Sequence, residues 1–306
     1  MPCTDRASHG ADRGSNLVLV DTRTEIRDFL TSRRAKITPE EVGLPSHGSR
    51  RVPGLRREEV AILAGVSVDY YNRMERGDLA GSSERVLEAV AGALRLDEAE
   101  RAHLFDLARA SRVPAAGRRR SPARRTVRHS IQWMVDAMRG AAAFVVNGRQ
   151  DILATNHLGR ALFAPIFESP APANMARFTY LDPHAREFFA DWNRMAKECV
   201  AGLRAQVGRD PFDRDLADLV GELSTKCDEF AALWATHNVG FHGKAEKSFH
   251  HPVVGDLTLR YDRLAVVADP GLEIFVYVAE PGSPSQDAFN LLASWTAAGS
   301  DAPSHQ

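Results

Sequence analysis

The chain has 306 residues, 44% of them hydrophobic and 26% charged, with a formal net charge of −1 and three cysteines. That length makes two domains the natural expectation, and no apolar run approaches the roughly 20 residues that cross a bilayer. Asn16–Val20 is too short for a leader, and Cys3, Cys199 and Cys227, scattered without metal spacing, suit a reducing cytoplasm.

The charge is unevenly placed. Residues 1–130 hold 24 Lys/Arg against 18 Asp/Glu, whereas residues 131–306 hold 15 against 22. A basic half that can meet a polyanion is joined to an acidic half that avoids one.

Residues 1–21 are polar and aperiodic and are expected to form a disordered tail. Thr22–Lys36 sets Ile26, Phe29 and Leu30 on one face and reads as a first helix. Ile37–Pro53 is a long connection of turn and breaker residues (Gly43, Pro45, Gly48, Pro53) that also holds Arg50 and Arg51. Then comes Leu55–Gly77, LRREEVAILAGVSVDYYNRMERG, with Val60, Ile62, Leu63, Val66, Tyr71 and Met74 at helical spacing. Gly65 stands where the first of two short helices must stop and turn. Ser67 is placed to cap the second helix, with Asp69 in its first turn to complement the dipole. Ala61 and Ala64 are small enough to let the two helices approach. An ordinary helical corner has the same needs. The reading as a helix-turn-helix for a DNA major groove rests on the neighbouring arginines, Arg50, Arg51, Arg56 and Arg57, whose guanidinium groups suit phosphates.

Ser83–Leu94 and Asp97–Ala110 are two further amphipathic helices, the first capped by Ser82 or Ser83 and the second begun by Asp97. They complete a five-helix domain expected over residues 22–112. Residues 113–128 combine Pro114, Gly117 and Pro122 with Arg118, Arg119, Arg120, Arg124, Arg125 and Arg128, a basic linker. Beyond it, Ala143–Val146 and Asp151–Thr155 flank Asn147-Gly148, the signature of a hairpin closed by a type I′ turn. Helices are expected over Asn156–Phe163, Pro183–Ala205, Phe212–Glu222 and Thr225–Ala235. Strands follow over Lys247–His251, Leu257–Ala268 and Glu273–Val278, then a last helix over Ser285–Trp295. The fold class is α+β: an N-terminal all-α helix-turn-helix domain, then a PAS-like antiparallel sheet with flanking helices over 129–298, and a disordered tail over 299–306.

The second helix of the motif, closing on Glu75-Arg76-Gly77, is similar to the helix-turn-helix of the XRE (Cro/phage-repressor-like) regulators. In that fold an arginine of the first helix, here Arg33 or Arg34, pairs with the glutamate, here Glu75. The wider pattern resembles the MmyB-like transcription regulators over nearly the whole chain beyond residue 20. The matching segments are VGLP (Val42–Pro45), PGLRREEVA (Pro53–Ala61), AGVSVDYYNRMERG (Ala64–Gly77), the hairpin with Asn156-His157, WATHNV (Trp234–Val239), HP-x-VG-x-L-x-L-x-Y (His251–Tyr261), AEPGSPS (Ala279–Ser285) and LLASW (Leu291–Trp295). Asp78–Ser82 departs from the family pattern, which is more basic there and contains a proline.

The resemblance implies a regulator whose PAS-like domain encloses a fatty-acid-type ligand. Carrying over the XRE docking, Ser67, Val68, Asp69, Asn72 and Arg73 read base edges, Arg73 being suited to a guanine O6/N7 pair. Arg50, Arg51, Arg56, Arg57 and Arg76 hold phosphates. Phe144, Phe163 and Trp234 are among the apolar residues able to line a ligand site, and the same residues would equally serve as ordinary core. A carboxylate head needs a cation or donor, for which His237, Lys244, His250 and Arg260, with Tyr261 or Asn156, are candidates, His237 and Arg260 foremost. The histidines His237, His242, His250 and His251 fit no standard metal spacing, so neither metal nor cofactor is expected.

The function expected is a sequence-specific DNA-binding transcription regulator controlled by a small hydrophobic, fatty-acid-like ligand. It would be homodimeric on two half-sites, cytoplasmic and nucleoid-associated, without membrane insertion. The alternative is a ligand-independent regulator whose C-terminal domain only dimerises or recruits a protein. No nucleophile elbow, P-loop, dinucleotide glycine pattern or HExxH occurs, so no enzyme is expected.

Overall fold

A computed structural model describes residues 22–44, 54–112, 126–168, 172–239 and 245–300, side chains of 296–300 excepted. The expectations for residues 1–21, for Arg50 and Arg51, for His242 and Lys244, and for most of the linker and C-terminal tail lie outside the described residues.

Five α-helices open the chain: α1 (Thr22–Lys36), α2 (Arg57–Ala64), α3 (Val68–Glu75), α4 (Glu84–Ala93) and α5 (Glu98–Ser111). Their apolar stripes meet in one core containing Ile26, Phe29, Val60, Tyr71, Met74, Leu87 and Leu104. The local chemistry sets the ends of the helices. Gly65 takes the left-handed φ of 64° that stops α2, and Ser67 Oγ accepts the Tyr70 N–H at 3.1 Å to start α3. Of the two serines before α4, Ser83 is the cap, accepting from Val86 N at 3.3 Å. Asp97 and Glu100 form a reciprocal capping box on α5.

The second half begins with α6 (His129–Asp136), followed by β1 (Ala142–Asn147) and β2 (Ile152–Thr155). A run of helices follows: α7 (His157–Leu162), α8 (Ala164–Phe167), α9 (Met175–Leu181), α10 (Ala185–Phe188), α11 (Trp192–Arg209), α12 (Arg214–Lys226) and α13 (Asp228–Trp234). The chain closes with β3 (Glu246–His251), β4 (Gly255–Ala265), β5 (Leu272–Ala279) and α14 (Pro284–Ser300). The five strands make one antiparallel sheet in the order β2-β1-β5-β4-β3. Because side chains alternate along a strand, Phe144, Phe249, Leu259 and Tyr277 face the helices α7 to α11, while Val145 and Ile274 face Ile131 and Val135 of α6.

Three details differ from expectation. The single helix expected over Pro183–Ala205 is two, because Phe189 leaves helical geometry to bridge Phe249 of β3 and Asp191 then caps α11. The hairpin is not closed by a type I′ turn: Gln150 N donates to Asn147 O at 2.9 Å, and the left-handed residue is Gln150, at φ 65°. Gly148 instead leaves room for α11, since a Cβ there would fall 2.2 Å from the flexible Gln206 side chain. Helices α6, α8 and α9 were not foreseen. In α9, Met175, Ala176, Phe178, Thr179 and Tyr180 are all buried, so no amphipathic period marks it.

The two halves are packed together. Helix α5 lies along α11, and the turn after α13 returns to the N-terminal core, where Val239 is buried.

Candidate functional site

On the outer side of α3, Ser67, Val68, Asp69 and Arg73 are exposed and Asn72 is half-buried, while Tyr71 and Met74 face the core. The Arg73 guanidinium lies 5.1 Å from the Tyr70 ring centroid. Beneath them, Glu75 anchors the helix from inside. Arg34 grips its carboxylate bidentately at 3.0 and 2.7 Å, and Thr31 Oγ1 donates at 3.1 Å. Burial alone would raise the Glu75 pKa, but the hydrogen bonds and charges of Arg34, then Arg57, outweigh it and hold the carboxyl below its ordinary value. Of the two candidate partners it is Arg34 that reaches Glu75; Arg33 goes to Glu100 at 2.7 Å.

Gly77 completes the motif. It sits at φ 93°, and a Cβ there would lie 2.5 Å from the Arg23 carbonyl oxygen, so glycine is what lets the end of the motif touch the start of α1. Among the expected phosphate binders, Arg56 and Arg76 are exposed beside α2 and α3. Arg57 is exposed beside them, and its Nε also donates to Glu75 Oε1 at 3.1 Å, so this guanidinium helps to fix α3.

The second site is a cavity of about 350 Å³ between the sheet, α11 and α5. The sheet contributes Phe144, Val146, Phe275, Tyr277 and Tyr261; Met175 and Met195 close the apolar side. Ala99, Ala102, His103 and Asp106 of α5 form the facing wall. His103 is buried, neither ring nitrogen has a hydrogen-bond partner, and Nε2 lies 3.8 Å from Glu25 Oε1. On β3, Lys247 Nζ stands 3.0 Å from Glu198 Oε2 and 4.7 Å from the Tyr261 ring centroid.

Of the eight expected ligand residues, Phe144 and Tyr261 border this cavity and the other six do not. Phe163 packs edge-on behind Phe144, at 5.0 Å between centroids. Asn156 is consumed by structure: Oδ1 accepts from Gly159 N and Ala143 N, and Nδ2 donates to Met138 O and Ala141 O. Trp234 stacks on Phe230 and carries Arg204 over its ring, at 4.1 Å. His237 belongs to the seam between the halves, its Nδ1 accepting from Arg204 Nη1 at 2.9 Å. His250 is exposed on β3, 2.6 Å from Asp256, and Arg260 is exposed on β4, 3.5 Å from Glu280. Strand alternation explains both: His250 and Arg260 are each one residue out of phase with an inward ring, Phe249 or Tyr261.

Sequence reading overlooked Lys247, Glu198 and His103. For Lys247 a signal existed, since it occupies the inward phase of KSFHH, two residues before Phe249. For His103 none did, because its place on the cavity wall depends on how two domains meet. Among the described residues no group of three or more His, Cys, Asp or Glu side chains is placed to hold a metal ion, and no helix is long and apolar enough to cross a membrane.

Residues 127–292 match the family described as the MmyB-like transcription regulator ligand binding domain, and residues 25–104 match a helix-turn-helix domain. No curated protein matches the chain. Neither matched family is one of enzymes.

Proposed function

The chain belongs to the MmyB-like transcription regulators and is a DNA-binding regulator with a ligand-binding domain; we propose that a fatty-acid-like molecule held in the cavity controls how it binds DNA. The observation carrying this reading is the composition of the cavity wall: sheet and α11 on one side, and α5 of the DNA-binding domain on the other. A ligand that fills it touches both domains, so its affinity depends on their arrangement, the condition for shifting an equilibrium between arrangements. The volume falls within the range of small-molecule sites, and each buried methylene contributes about 0.8 kcal/mol before ordering costs.

On the DNA side, α3 enters the major groove with Val68, Asp69 and Arg73 toward base edges, while Arg56 and Arg76 hold phosphates. We read the protein as a cytoplasmic homodimer without catalytic activity. Exposed Trp133 and Met134 on α6, with Leu291 and Trp295 on α14, are apolar surface that supports pairing with a second copy.

The test is a DNA site selected from random sequence with the full chain, followed by fluorescence anisotropy on that site with and without dodecanoate. A dodecanoate-dependent change in affinity is expected. Unchanged binding by protein shown to carry dodecanoate would sink the proposed control.

A further inference from the structure

We propose that Tyr70 is a positioning residue for base recognition, its ring aiming the Arg73 guanidinium before DNA arrives and so setting the sequence preference of α3; this rests on the reading of Arg73 as a base-contacting residue.

Tyr70 and Arg73 stand three positions apart on α3 and therefore share a face of the helix. The Arg73 guanidinium lies 5.1 Å from the centroid of the Tyr70 ring, within the reach of a cation–π contact. Among the described residues that guanidinium makes no hydrogen bond or ion pair, so the ring is what holds it. The ring is itself held at both ends. Its body is half-buried against the core of the N-terminal helices, and its hydroxyl donates to Ser82 Oγ at 3.2 Å. Ser82 is a fixed post: it is 2% exposed, its N–H donates to the Leu79 carbonyl at 3.1 Å, and its own carbonyl accepts from Arg112 at the end of α5. A run of contacts thus leads from the end of α5, through the turn after α3, to a side chain on the outer surface.

An arginine freezes several rotors when it meets a base edge, and a side chain already held in place loses less on binding. A ring face attracts the cation without an acceptor oxygen, so the N–H donors that guanine O6 and N7 require are not spent on the protein. Arg57 is the contrast, since its Nε donates to Glu75. Arg76 is a second contrast, exposed and with no aromatic ring beneath it among the described residues. Binding to arbitrary sequence draws on charge, which Arg73 keeps wherever it points. The contribution of Tyr70 therefore lies in discrimination between sequences and not in affinity for DNA at large.

The experiment measures, by fluorescence anisotropy with the full chain, the ratio of affinities for the site selected from random sequence and for a scrambled duplex of equal length. Tyr70→Leu is expected to lower that ratio about three- to fivefold, the size of one exposed cation–π contact, with affinity for the scrambled duplex unchanged. Tyr70→Phe keeps the ring and should hold the ratio within about twofold of wild type. In an Arg73→Ala background Tyr70→Leu should lower the ratio no further. A measurement on the unmodified free protein needs no variant to fold: Nε–H relaxation should show Arg73 more ordered than Arg76. A Tyr70→Leu loss that is absent, equal on the two duplexes or additive with Arg73→Ala overturns the proposal and leaves the reading of Arg73 standing. So does a Tyr70→Phe loss as large as that of Tyr70→Leu, or an Arg73 as mobile as Arg76. An Arg73→Ala ratio equal to that of wild type overturns both.

Discussion

Glu25 on α1 and Arg204 on α11, separated by 179 positions in the chain, form a buried ion pair with Oε1 and Nη1 2.5 Å apart. Arg204 also donates to the Trp234 carbonyl and to His237, and Arg33 donates to the His237 carbonyl and to Asn238. The WATHNV segment thus fastens the DNA-binding domain to α11. Removing one partner of such a pair leaves a charge stranded without water. Arg204→Met is therefore expected to cost about 3–5 kcal/mol, and pairing it with Glu25→Met should recover much of the loss. Denaturant unfolding of the three variants checks this; equal losses in single and double variants would count against the pair.

The same seam should make stability depend on pH. Burial raises the pKa of Glu25, but the neighbouring imidazoles of His103 and His237, at 3.8 and 3.9 Å, and the charge of Arg204 bring it well below 4.5, so its contribution is full above that value and fades as pH falls through the folded pKa. Burial lowers His103 below 6.5 against the pull of Glu25, so the unfolded chain protonates first and stability drops as pH falls below 6.5. Both act in one direction, and acid loosens the fold. His103→Gln is expected to flatten the segment of the stability curve just below pH 6.5, where one proton is worth at most about 1.4 kcal/mol per pH unit.

On the DNA face three arginines should behave differently. Arg73→Ala is expected to lose about 1–3 kcal/mol on the selected site and little on random DNA. Arg56→Ala should weaken both alike and reduce the salt slope by about 1. Arg57→Ala should show chiefly as lost stability, because its guanidinium is bonded to Glu75. Anisotropy at several salt concentrations separates these outcomes, and identical profiles for the three would refute the sorting.

Two glycines give a contrast in tolerance. At Gly77 an added methyl meets Arg23 backbone at a left-handed φ, with nothing free to yield; Gly77→Ala should cost about 2–5 kcal/mol. At Gly148 the obstacle is the Gln206 side chain, which can swing aside, so Gly148→Ala should cost about 1 kcal/mol or less. Thermal melts of the two variants would expose an error if their order were reversed.

What could be read from the sequence follows the range of the interactions. The helix-turn-helix was legible because its signals are local: Gly65 and Ser67 act within four residues of themselves, and Glu75 announces itself by its place in the motif. The cavity was less so. Placing Arg260 at the ligand ignored that Tyr261 takes the inward phase of β4, and Lys247 went unnoticed among polar neighbours on β3. Asn156 looked like a free donor because the four backbone groups it binds lie up to 18 residues away. Nothing local announces that His103 meets α11, since Gly208, which makes room for its ring, lies on a helix of the other domain.

Helix α5 is shared property: it completes the DNA-binding core with Leu104 and Leu107 and, on its opposite flank, shuts the cavity with Ala99 and Ala102. On the proposed reading, the cavity has one dimension fixed by the gap between domains, which would make the protein a ruler. An acyl chain too short leaves a void against α5, and one too long must push that helix outward. Differences of one or two carbons would reach the operator as displacement of a rigid rod, with no relay of side chains in between.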